Sequence, residues 1–114
     1  MLFDFLRKKD NIKAPIDPAS LPAHTGHDGM TVEDVFTIKG RGTIVTGVCE
    51  GTIIIGDTVI VHGAKEGGIK SEVAGVEVFR KSLDFAEDGM NCGLLLKGVN
   101  REDVEPGDYV EVVA

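Results

Sequence analysis

His24, His27 and Asp28 stand within five residues of one another, and imidazole and carboxylate donors at that spacing can hold a metal ion. They lie in a glycine-rich stretch with no fixed strand beside them, so solvated loop histidines are the expectation and no metal site is assigned. Glu87 with Asp88, and Glu102 with Asp103, offer paired carboxylates for acid–base work, yet adjacent acids on turns normally form a solvated face. Cys49 and Cys92 have no near neighbour in sequence of the kind a zinc or redox motif needs. Cys92 follows Asn91 in an apolar run without a nearby histidine, so a reduced, inert core thiol is expected. The run Gly40 to Gly47, GRGTIVTG, lacks the spacing and strand-to-helix setting of a nucleotide fingerprint, and no G-x-x-x-x-G-K-[ST] loop occurs. The expectation is therefore a binding protein, with no catalytic residue, no cofactor and no GTP hydrolysis of its own.

Composition narrows the partners. The 114 residues suffice for one domain with its own core. A formal charge of -7 argues against general binding along DNA, whose affinity comes from lysine and arginine displacing counterions, so any nucleic-acid contact must be local. No apolar run approaches the roughly 20 residues that span a bilayer, and no secretory signal is evident; a cytoplasmic protein with reduced thiols is expected.

Fifteen glycines, few aromatics and a middle crowded with β-branched residues indicate short strands joined by tight turns. Six strands are predicted, over Thr31 to Ile38, Gly42 to Cys49, Asp57 to His62, Ile69 to Phe79, Asn91 to Lys97 and Tyr109 to Val113. Val59 and Val61 alternate with Thr58, Ile60 and His62, and Val110 and Val112 alternate with Tyr109 and Glu111, as a pleated strand with two unlike faces requires. The unbroken run Leu94 to Leu96 suits a strand buried on both sides or one crossing a barrel corner. NREDVEPG, from Asn100 to Gly107, reads as a capped helical turn. Six short strands with no helix between them favour a closed antiparallel barrel, because closure removes exposed edges.

Ahead of the strands, residues 1–29 read as a leader and 30–114 as the barrel domain. The leader opens MLFDFLRKK, in which Leu2, Phe3, Phe5 and Leu6 precede Arg7, Lys8 and Lys9. That pattern suits a short amphipathic helix, either frayed against the barrel or docking on a membrane surface or partner. Pro15, Pro18 and Pro22 then mark irregular chain.

Three stretches, VEDVFTIKGRGTIVTG from Val32, GVEVFRKSLDFAEDGMNCGLLLKG from Gly75 and REDVEPG from Arg101, are co-linear with the second domain of elongation factor Tu and resemble it at nearly its spacing. The resemblance implies an all-β fold: a closed six-stranded, Greek-key-type barrel of the translation-protein domain 2 type, here free-standing and without the GTPase. One departure stands out. After Gly47 the chain is one residue shorter than the family's pattern, which is expected to change only a hairpin tip.

The resemblance also implies a site. Ile38, Ile44 and Leu95 fall where the family walls the terminal adenosine of aminoacyl-tRNA, Glu77 where an acidic group faces it, and Arg80 and Asn91 in the aminoacyl neighbourhood; Phe79 occupies a variably aromatic position. Aliphatic side chains can clamp a base face and a carboxylate can accept from amino or hydroxyl groups. The same residues also suit an ordinary core with an exposed Glu77–Arg80 pair. The expected function is thus a translation-factor-like module for an aminoacyl-tRNA end, a ribosomal surface or a separate translation GTPase. The alternative is a protein-interaction or regulatory barrel that has lost RNA binding.

Overall fold

The computed structural model describes residues 21–40, 42–63 and 66–113. Among the described residues ten strands form: β1 Gly29–Thr31, β2 Asp34–Ile38, β3 Gly42–Glu50, β4 Thr52–Ile54, β5 Thr58–His62, β6 Ile69–Val78, β7 Lys81–Leu83, β8 Phe85–Glu87, β9 Asn91–Leu96 and β10 Tyr109–Val112. Six of them close a barrel in the order β1, β10, β5, β6, β9, β3 and back to β1, every pairing antiparallel. The barrel forms because each strand turns one apolar row inward: Val59 and Val61 from β5, Val45 from β3, Leu94 and Leu96 from β9 and Val110 from β10 are all buried in one core.

The predicted strand from Thr31 to Ile38 is divided. β1 pairs with the far half of β3 and with β10, while β2 pairs with the near half of β3. Between them Val32 donates its N–H to the Asp108 carbonyl and Glu33 donates to Thr46, so the chain changes partners without losing backbone bonds. Three short strands escape the alternation pattern: β4, β7 and β8 have three residues each, too few to show a period. β4 pairs with β8 off the barrel, and β7 hairpins back on β6.

Asn100 to Gly107 does begin with a helical turn. Residues Arg101–Asp103 form one turn of 3-10 helix, with the Asp103 carboxylate accepting from the Asn100 N–H at 3.1 Å. The shortened segment after Gly47 proves to be a corner rather than a hairpin tip. β3 runs on to Glu50, Gly51 turns at φ +72°, and β4 leaves for another sheet. Gly51 is needed there twice over, for its positive φ and because a Cβ would sit 2.3 Å from an Asp28 oxygen.

The last residues of the leader are tied to that corner. Asp28, 6% exposed, accepts from the N–H groups of Thr25, Gly26 and Thr52 and from the Thr25 hydroxyl. His24 Nε2 lies 2.8 Å from Asp57 Oδ2, which also accepts from the Ile54 N–H. These two acids and the His24 imidazole therefore strap the chain entering β1 across the β4 end of the barrel. The amphipathic segment Leu2 to Lys9 and the rest of residues 1–20 lie outside the described residues.

Candidate functional site

The outer face of β2, β3, β9 and β6 carries the residues singled out by the sequence. Because Val45, Leu94 and Leu96 point into the barrel, their neighbours Ile44 and Leu95 must point out, and the register sets them opposite one another. They are nevertheless buried. Ile38, Ile44 and Leu95, at 6%, 0% and 8% exposure, pack as a second apolar cluster separate from the main core, with Ala74 against them. Ala74 is delivered by a bulge: Val73 pairs with Leu96 and Gly75 with Leu95, leaving Ala74 as the extra residue of β6. The unbroken run Leu94 to Leu96 thus serves two cores at once.

One row further along the strands the register aligns Asp34, Thr46, Gly93 and Glu77. Gly93 carries no side chain between Thr46 and Glu77, so the row has a gap, and a cleft of about 460 Å³ opens there. Its lining includes Glu77, Phe79, Arg80 and Asn91 from the sequence-derived set. The seven predicted residues are therefore split into an apolar cluster of three and an adjoining cleft holding four. Successive rows on one strand face are about 7 Å apart, close enough for one ligand to touch both. Glu77 is 2% exposed and paired in register with Gly93 and Ser82, which excludes the reading of Glu77 and Arg80 as an exposed cross-strand pair.

Phe79 was expected as the last residue of a strand, but with Arg80 it forms the two-residue turn between β6 and β7, at φ +52° and +65°. Two positive φ values are what a type I′ hairpin demands, and asparagine and glycine meet that demand far more cheaply than phenylalanine and arginine. The turn holds Phe79 at the cleft with 84% of its surface exposed, where it contributes almost nothing to packing. Such strain, of order 1–3 kcal/mol per residue, typically marks a functional position.

Phe36, Glu33 and Thr46 also line the cleft and were missed. A signal for two of them was present: Phe36 lies two residues from Ile38 on β2 and Thr46 two from Ile44 on β3, so period two puts them on the same faces. A second groove, at the end of the barrel, is lined by Lys39, Asn100 and Arg101 beside Ile38.

The family model for elongation factor Tu domain 2 matches residues 42–111, more than half of the chain and nearly all of the barrel. The chain belongs to the elongation factor Tu domain 2 family. Ile44, Glu77, Phe79, Arg80, Asn91 and Leu95 fall within the matched span; Ile38, together with β1 and β2, precedes it. Membership makes this a translation-factor-like module with the family's barrel.

The other residues with chemical potential have structural work in this family member. Asp88 accepts from the Gly51 N–H at 2.9 Å. Cys49 and Cys92, distant in sequence, lie side by side inside the barrel as free, buried thiols, with the Cys92 sulfur 3.7 Å from that of Met30. The hydrogen bond to Cys49, reinforced by burial, pushes the Cys92 thiol far above its ordinary range and keeps it protonated. Among the described residues no group of three or more His, Cys, Asp or Glu side chains is arranged to hold a metal, and no helix is long and apolar enough to cross a membrane.

Proposed function

We propose that this barrel is a non-catalytic binding module that receives an aminoacylated adenosine, the 3′ end of aminoacyl-tRNA, on the outer face of β2, β3, β6 and β9. One observation carries the reading: an apolar cluster on the outside of the barrel adjoins a cleft that contains a buried carboxylate, Glu77, and a strained turn presenting Phe79 and Arg80. Ile38 and Leu95, backed by the fully buried Ile44, supply the apolar surface for the base, and Glu77 accepts hydrogen bonds from its amino group or the ribose hydroxyls. Asn91 and Arg80 border the space left for the aminoacyl group. Lys39 and Arg101 at the neighbouring groove supply the local positive charge that an acidic chain needs for phosphate. Binding of this kind places the protein in the cytoplasm, beside the ribosome or a separate translation GTPase. It requires no bond-making chemistry from the chain.

By itself a single barrel holds such an end weakly, since avidity comes from linked binding sites. The test is a titration of the isotope-labelled protein with an aminoacyl-adenosine mimic at millimolar concentration. Amide shifts at Ile44, Glu77 and Leu95 should move together, and their silence would remove the reading.

The exposed aromatics Phe36 and Phe79, at 47% and 84%, favour a second reading, a protein-docking module without RNA binding. Recovery of a protein partner from nuclease-treated lysate, with no response to the mimic, would select it.

A further inference from the structure

We propose that Met30, Cys49 and Cys92 form a binding site for one soft metal ion of low coordination number, Cu(I), beneath the floor of the cleft. The site is independent of the ligand proposed for the cleft itself, and its test does not involve that ligand.

Among the described residues three sulfur atoms converge inside the barrel, and the register shows how. Met30 pairs with Cys49 across β1 and β3. Gly47, two residues before Cys49 and therefore on the same face, pairs with Cys92 across β3 and β9. A Cβ on Gly47 would lie 2.9 Å from Met30 Cγ and 3.2 Å from its Sδ, so the methionine takes the space that a side chain there would need. Its sulfur thereby crosses β3 to lie 3.7 Å from Cys92 Sγ, which donates to it. Cys49 completes the triangle through its hydrogen bond with Cys92.

The donor set selects the ion. Thiolate and thioether sulfurs are soft ligands that favour Cu(I), whereas a structural zinc site takes four ligands. Among the described residues no group of three or more His, Cys, Asp or Glu side chains could complete such a zinc site. Metal–sulfur bonds of about 2.3 Å set two ligands at tetrahedral or trigonal angles about 3.8 to 4.0 Å apart. The 3.7 Å between Cys92 and Met30 needs little change to meet that.

The metal replaces protons. The hydrogen bond with Cys92 outweighs burial and lowers the Cys49 pKa, helped by the Ile53 N–H and opposed by the charges of Asp88 and Asp28, so Cys49 ionises first. Loading exchanges one Cu(I) for the two thiol protons, which leave for solvent with no change of oxidation state. Cys92, at 5% the least buried of the three ligands, lines the cleft with Gly47 and Gly93, and a small ion enters from that side.

The full chain, reduced and held under argon, is titrated with the acetonitrile complex of Cu(I) in competition with bicinchoninate. One Cu(I) per chain should pass to the protein. Met30→Leu, which nearly conserves side-chain volume, should weaken the site about tenfold or more, the order lost when even an outer-shell partner of a metal is removed. Cys49→Ser/Cys92→Ser should abolish uptake, with circular dichroism verifying the fold. A second measurement needs no cysteine variant. The chain has three methionines, so methyl-labelled methionine gives three signals, and the one missing in Met30→Leu should shift when the parent is loaded. Any of four results overturns the proposal: no Cu(I) drawn from bicinchoninate, uptake surviving the double serine variant and so held by adventitious ligands such as His24 and His27, one metal shared between two chains in native mass spectra, or a Met30 methyl signal that stays in place on loading.

Discussion

Ile44 and Leu95 face each other across β3 and β9 on the outside of the barrel, where a solvent-facing pair would ordinarily be polar. Fifty-one positions apart in the chain, they are buried by Ile38 and by the bulged Ala74, so the barrel maintains a small second core on the flank beside its cleft. Its place on the outer face, directly beside the cleft, is why we connect it with ligand recognition.

Removing one wall tests this directly. Ile44→Ala should lower stability by roughly 2 kcal/mol, the low end for a buried aliphatic truncation, because a cluster of four can collapse into the space. It should also weaken an aminoacyl-adenosine mimic about tenfold or more, equivalent to about 1.4 kcal/mol. Val48→Ala, on the same face but 38% exposed, is the control and should do neither. Urea unfolding and the same titration report both numbers.

The turn at Phe79 and Arg80 predicts a trade of binding for stability. Phe79→Asn with Arg80→Gly supplies the residues that a type I′ hairpin prefers and should stabilise the protein by about 1 kcal/mol while reducing affinity for the mimic. Loss of stability on this substitution would mean that the two side chains are structural.

Asp28 should govern the acid limb of stability. Burial alone would raise its pKa, but the N–H groups of Thr25, Thr52 and Gly26 and the Thr25 hydroxyl overcome that and hold it at about 2, below the ordinary 3.8. A depressed carboxylate stabilises the fold fully above the unfolded value and ceases to do so as pH falls through the folded one. About 2 kcal/mol should therefore disappear between pH of about 4 and 2. Asp28→Asn should flatten that part of a stability–pH profile measured by urea unfolding.

Tyr109 supplies an alkaline counterpart. Its ring lies over Gly29, where a Cβ would fall 2.5 Å from the hydroxyl oxygen, and the hydroxyl donates to Glu50 Oε1 at 3.0 Å. Burial first, then that bond and the charges of Glu50, Glu111 and Asp28, raise its pKa from 10.0 to about 12. The contribution is complete below pH 10 and fades as pH rises through about 12. As the only tyrosine in a chain without tryptophan, it can be followed by tyrosinate absorbance, and Glu50→Gln should bring the midpoint back towards 10.

Much of this is legible in the amino-acid sequence. Alternation at Val59 and Val61 gave the inward face of β5, the leucine run marked β9 as buried on both sides or crossing a corner, of which the first holds, and the turn signals at Asn100 to Gly107 located the 3-10 turn. The resemblance named seven residues; in the structure Ile38, Ile44 and Leu95 cluster on the outer face of the barrel and Glu77, Phe79, Arg80 and Asn91 line the adjoining cleft. The division of the first strand into β1 and β2 was not legible, because it depends on which partner each half meets. The proximity of Cys49 to Cys92 was hidden for the same reason.

The sequence by itself determined which side chains the longer strands would turn to each face, where glycine would let the chain turn, and that the protein would be acidic, since these follow from interactions within a few residues or from composition. Only the tertiary structure decided which faces adjoin. The gap at Gly93, the outward burial of Ile44 and the strap of Asp28 across Gly51 all arise from pairing between segments distant in the chain, whose register no connecting turn fixes and which the matching of buried faces sets as the barrel closes.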